Sequence, residues 1–82
     1  MGDWASSQAA RARHMALGAN RARHGHENFC ARCRRVRAEV EVDHVVPRRV
    51  APSQTLNPAN LQVLCVECHR AKTAEDRRRW AG

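Results

Sequence analysis

The sequence predicts a small α+β domain: an N-terminal helix, then strand, loop, strand and helix, stapled by a four-cysteine metal site. Three observations carry this prediction. Two Cys-x-x-Cys pairs, Cys30–Cys33 and Cys65–Cys68, bracket the centre of the chain. An alternating apolar and polar run ends at a proline-rich stretch between those pairs. Large apolar residues are scarce: Leu, Ile, Val and Phe number 4, 0, 8 and 1 among 82 residues. That is below the ~20% at which a highly charged chain is expected to stay unfolded. So thin a core calls for a metal or disulfides.

The first element is a helix. Ser6 or Ser7 caps it, and the Ala-rich segment with Gln8, Arg11 and Arg13 carries it to about Leu17. It lacks a broad apolar face, so its expected contacts are Trp4, Met15 and Leu17. His24-Gly25-His26 reads as a loop. Residues 1–28 thus form a basic helical arm, and residues 29–82 form the domain proper. Phe29 leads into the first cysteine pair, a tight turn that presents thiolates.

From Val36 to Val46 the residues alternate. Val36, Ala38, Val40, Val42, His44 and Val46 share one side, and Arg37, Glu39, Glu41 and Asp43 the other, as in a half-buried strand. Pro47 ends it, because proline cannot donate to the ladder. Residues 47–60, with Pro47, Pro52, Pro58, Ser53, Asn57 and Asn60, read as a long loop, and long loops in small domains are usually functional. Leu61-Gln62-Val63-Leu64 is a short strand able to pair antiparallel with the first. A helix follows from about Val66 to Trp80, with Val66, His69, Thr73, Arg77 and Trp80 on one face.

Four cysteines admit three disulfide pairings in a secreted protein. Met1 to Asn20 holds no apolar run long enough for a signal peptide, and no segment is long and apolar enough to span a membrane. The expectation is a reducing cytoplasm, thiols free for metal, and a tetrahedral structural Zn²⁺ on Cys30, Cys33, Cys65 and Cys68.

The net charge is +7, with fourteen Arg and one Lys. Eight of the Arg lie in residues 1–37 against only Asp3 and Glu27. Such an arm points to a polyanion, foremost nucleic acid, since the guanidinium fork matches phosphate. A solvated helix face is the plainer explanation of a charge run.

Inside the cysteine bracket lie Asp43-His44 at the strand end and Asn60 before the second strand, with His69 next to Cys68. The segments "VDHVVP" and "NPANLQVLCVECHRAKT" resemble the zinc-bound HNH endonucleases and their ββα-metal (His-Me finger) motif. The resemblance runs from about Phe29 to Thr73. This chain has Arg48-Arg49 and Pro52 where the family commonly has a Gly-Gly loop. By resemblance, His44 matches the general base, and Asp43 and His69 the ligands of a catalytic divalent metal. Asn60 matches the residue that braces the loop, and the four cysteines match the zinc ligands. The resemblance also implies a DNA substrate, expected double-stranded, inside a bacterial host or phage-infected cell. Small free-standing members often accompany phage genes, so packaging proteins are expected partners.

The chemistry is coherent by itself. Phosphodiester hydrolysis needs a water deprotonated near neutral pH, where imidazole titrates. It also needs positive charge at the developing phosphorane and the departing oxygen. A metal held by one carboxylate and one imidazole keeps open positions for that purpose, and Mg²⁺, Mn²⁺ or Ni²⁺ suits the set. Arg48, Arg49, Arg70 and Lys72 are candidate phosphate contacts. Adjacent strand residues point to opposite faces, so Asp43 and His44 share a site only if the strand twists or breaks there.

Each residue also has a bland role: His44 as a core histidine, Asp43 and Asn60 as turn residues, His69 on a helix surface. Two further functions compete. A zinc module that only binds nucleic acid would explain the bracket and the arm, but not the Asp-His pair. Cys65-x-x-Cys68-His69 also fits a haem-attachment pattern, but leaves Cys30 and Cys33 unexplained.

Overall fold

The computed structural model describes residue 4 and residues 6–81. Helix α1 (Ser7–His24) is followed by strand β1 (Val40–His44), strand β2 (Leu61–Cys65) and helix α2 (Val66–Arg79). Two single 3-10 turns, Pro52–Gln54 and Pro58–Asn60, order the connection between the strands.

Helix α1 begins as expected. The Ser6 hydroxyl accepts from the Ala9 N–H at 3.1 Å, satisfying one of the free donors of the first turn. It runs well past Leu17. Gly18 costs a helix interior only ~1 kcal/mol relative to Ala, which does not stop it. Asn20 is buried, and its amide donates to the carbonyls of Glu27 at 3.0 Å and Phe29 at 2.8 Å. Those bonds anchor the helix to the segment that follows it. The stop is Gly25, at φ 83°, whose N–H bonds the Arg21 carbonyl, a left-handed cap that glycine enters without a Cβ penalty. The expected packing through Met15 is not observed, since that side chain is 61% exposed. Ala9 and Asn20 are the buried positions of the helix.

The strands pair antiparallel, with Val40 opposite Cys65, Val42 opposite Val63 and His44 opposite Leu61. The alternating run predicted a strand from Val36, but β1 starts at Val40. The reason lies in its partner: β2 ends at Cys65, where the chain turns into α2, so residues before Val40 have no strand beside them. Val36 instead bridges to Phe29. The Asn28 side chain holds the Arg37 and Ala38 carbonyls at 3.1 and 3.2 Å.

The buried centre is small. Val63, Leu64 and Cys65 of β2 are at most 2% exposed, and Cys30 is fully buried. Cys30, Leu64 and Cys65 form the core cluster, with Ala31, Cys33 and Cys68 packed on it. Four of those six residues are the cysteines. Sulfur therefore occupies the place that aliphatic side chains fill in a larger domain.

Candidate active site and thiolate centre

Cys30 and Cys33 lie on a turn closed by the Cys30 N–H to the Arg35 carbonyl and the Arg34 N–H to the Cys30 carbonyl, both 2.8 Å. Arg34 takes a positive φ of 60° to close it. Cys65 ends β2 and Cys68 lies in the first turn of α2. The four sulfurs all lie within 4.8 Å of one another. A tetrahedral ion with bonds of ~2.3 Å to sulfur needs such a cluster. Burial pushes the Cys30 thiol up. Main-chain N–H groups of Cys65, Cys33 and Arg32 outweigh it and bring its pKa down to about 6. Cys68 is pushed up to about 12, chiefly by hydrogen bonding to the Cys65 sulfur and also by burial. Four thiolates at this spacing need a cation between them, so the donor set fits a divalent metal.

Behind this centre, α2 carries His69 against the face of β1 that bears Glu41 and Asp43. His69 Nε2 lies 3.4 Å from Asp43 Oδ1, and Nδ1 lies 3.1 Å from Glu41 Oε2. The two-residue spacing of Glu41 and Asp43 puts both carboxylates on one side of the strand. Lys72, one turn along α2, sits 3.0 Å from Asp43 Oδ2 and 2.6 Å from Asp76 Oδ2. Its side chain is 11% exposed and that of Asp43 16%. Burial works to lower the Lys72 pKa, but the Asp76 and Asp43 carboxylates hold it above its ordinary value. Asp43 Oδ2 is buried and receives no well-directed hydrogen bond, despite its closeness to the ammonium. The other oxygen, Asp43 Oδ1, faces His69 Nε2, so one carboxylate oxygen and one imidazole nitrogen converge on the same point of the cleft. Asp43 and His69 therefore fit a divalent ion.

His44 is 6% exposed. Its Nε2 lies 2.9 Å from the Thr55 carbonyl oxygen. A carbonyl only accepts, so Nε2 carries the hydrogen, and in the neutral ring Nδ1 keeps the free lone pair. Asn60 fixes the loop that delivers this carbonyl. Its Oδ1 accepts from Val46 N at 2.9 Å, and its Nδ2 donates to Val46 O at 3.1 Å and Gln54 O at 3.3 Å. One buried amide thus ties the exit of β1 to the residue before Thr55.

Asp43, His44 and His69 line one cleft of about 760 Å³, together with Arg48, Arg49, Thr55, Lys72 and Arg77. Asp43 and His44 reach it from adjacent positions because β1 ends there: α2 covers the Asp43 face and the loop wraps round the strand end to His44. Asn60 stands behind the cleft and does not line it. The candidate phosphate contacts separate. Arg48 is exposed on the cleft wall. Arg49 donates to the Trp80 carbonyl at 2.9 Å, fastening the loop to the end of α2. Arg70 is exposed and away from the cleft. Lys72 faces two carboxylates. Sequence reasoning did not single out Glu41, Thr55 or Asp76. The i−2 spacing from Asp43 was a usable signal for Glu41, whereas Thr55 acts through its main chain and leaves none.

The HNH endonuclease family model matches residues 30–75. No curated protein sequence matches the chain. The fold is similar to the crystal structure of the HNH endonuclease of deep-sea thermophilic bacteriophage GVE2 with manganese ion. The TM-score is 0.81 at 34% identity, over 95% of this chain and 82% of that one. A family model over more than half the chain, and a likeness of this extent to a solved nuclease, agree: the chain belongs to the HNH endonuclease family and is a nuclease.

Proposed function

We propose that the protein hydrolyses phosphodiester bonds of DNA, with double-stranded DNA as the substrate, and that His44 is its general base. The observation that carries this reading is the hydrogen bond of His44 Nε2 to the Thr55 carbonyl. It leaves Nδ1 as the proton acceptor in a cleft shared with Asp43 and His69. His44 takes the proton of the attacking water, and Thr55 stabilises the imidazolium that results. Asn60 keeps Thr55 and Val46 in place through its three hydrogen bonds.

Asp43 and His69 hold the catalytic divalent ion in this reading, and manganese in the related phage enzyme supports Mn²⁺ or Mg²⁺. When bound, such an ion supplies positive charge to the phosphorane and the leaving oxygen. Glu41 accepts the Nδ1 hydrogen of His69, which frees Nε2 as the ligand atom. Lys72 holds the second oxygen of Asp43. Arg48 and Arg77 stand on the cleft wall for the DNA backbone. The four cysteines hold a structural Zn²⁺.

Supercoiled plasmid incubated with Mg²⁺, Mn²⁺ or Ni²⁺ tests the proposal. His44→Ala is expected to nick ~10²–10⁴ times more slowly than wild type, the usual contribution of a general base. Equal nicking by both proteins would remove His44 from that role.

A further inference from the structure

A general base has to be held in orientation as well as in protonation state. The Thr55 carbonyl fixes one nitrogen of His44, but a single hydrogen bond leaves the ring free to tilt about that contact. The second constraint comes from outside the strand–loop–strand–helix unit. The Trp4 and His44 rings meet edge to face, with centroids 4.4 Å apart and planes at 64°.

Trp4 is itself held from α1. Arg13 Nη1 donates to the Trp4 carbonyl at 2.5 Å, and the guanidinium lies over the indole, 5.0 Å from its centroid. That is cation–π range. The helix bearing Arg13 is anchored in turn by buried Ala9 and by the Asn20 amide bonds. A continuous line of contact therefore runs from α1 through Arg13 and Trp4 to His44.

We propose that Trp4 is a positioning residue for His44 and that Arg13 keeps it in place, so that the basic arm supplies one wall of the active site. The proposal rests on the reading of His44 as general base. The indole acts as a wall and not as a plug. With Trp4 in place, the cleft it lines still measures about 760 Å³ and still reaches Asp43 and His69. Trp4 also lines a smaller cavity with Arg13, Glu41 and His69. The likeness to the phage enzyme covers 95% of this chain, which carries it beyond residues 30–75 into the arm.

The test combines kinetics with a direct view of the imidazole. Full-length zinc-loaded Trp4→Ala, Trp4→Phe and Arg13→Ala are compared with wild type and His44→Ala in plasmid nicking with Mn²⁺. Small misplacements of a catalytic group can cost up to ~10²-fold. Trp4→Ala is expected to lower kcat at least ~10-fold with KM, zinc content and thermal midpoint close to wild type. Trp4→Phe restores most of the rate, and Arg13→Ala falls between.

In a ¹H–¹³C spectrum, the His44 ring signals are identified by their loss in His44→Ala. They carry an indole ring-current shift that disappears in Trp4→Ala and changes in Arg13→Ala. A Trp4→Ala protein as fast as wild type, or faster, overturns the proposal, as do His44 signals that do not move. Should Trp4→Ala fail to fold, Arg13→Ala decides the matter by the same two readouts. Full activity in His44→Ala sinks the general-base reading. A dead His44→Ala beside a fully active Trp4→Ala sinks only the role of Trp4.

Discussion

The two candidate metal centres are neighbours built on opposite plans. Cys30, Cys33, Cys65 and Cys68 offer four like donors, two of them buried, and they make up most of the core. Asp43 and His69 offer two unlike donors on a cleft, with Lys72 and Glu41 close at hand. The first set is closed: four sulfurs fill every position of a tetrahedral ion, an arrangement that suits a structural role. The second is open, which lets water and phosphate approach. Cys68 and His69 are consecutive residues of α2. One step along a helix, about a 100° rotation, separates the sulfur cluster from the cleft. Whatever fixes the start of α2 at the cysteines thereby fixes His69 opposite Asp43.

The comparison is broken most directly at the thiolates. Structural zinc contributes ~10–16 kcal/mol in small zinc domains, as much as or more than the ~5–15 kcal/mol total stability of an ordinary domain. Strong chelation, or Cys30→Ser, is expected to unfold the protein, read as lost helical circular dichroism. An unchanged spectrum after verified zinc loss would show that the apolar contacts suffice alone.

A smaller effect is expected at Asn60, which serves only the reactive half. Asn60→Ala removes three hydrogen bonds, each with a net worth of ~1 kcal/mol. The expected loss is about 2–3 kcal/mol in denaturant unfolding. The zinc content should stay stoichiometric and nicking should slow, because Thr55 no longer holds His44 in place. An unchanged nicking rate would confine Asn60 to stability.

The finest distinction lies at Glu41. A carboxylate behind a metal-bound histidine typically accounts for ~10–100-fold in metal affinity. Glu41→Gln is expected to weaken Mn²⁺ binding, followed by titration calorimetry, by a factor in that range. The thermal midpoint should hold, since Glu41 is exposed. Equal affinity in the variant would make its contact with His69 incidental.

Much of this could be read from residue order. The Cys-x-x-Cys pairs announced the sulfur centre because two donors three residues apart fit one turn of chain. The end of the alternating run at Pro47 placed Asp43 and His44 at a strand end, and Ser6 was one of the two caps expected. The expected end of α1 near Leu17 was not right, because the bonds that hold Asn20 within the helix are made to residues beyond it. The Asn20 amide has partners nine residues away at most, yet they exist only once the chain has turned back. The expected strand start was displaced for a like reason: Val36 has strand character, but the partner β2 ends at Cys65. Lys72 reads as a candidate phosphate contact beside Arg70, and only the approach of α2 to β1 puts it between Asp43 and Asp76.

The sequence by itself determined which groups can bind metal and move protons, and the family to which the chain belongs. Donor chemistry and short spacings are local, and they survive in the unfolded chain. Tertiary structure alone decided how those groups are oriented: Thr55 on His44, Glu41 behind His69, and the Trp4 ring against that of His44. Each of these contacts joins elements distant along the chain, and none exists until the strands have paired and both helices have docked on them.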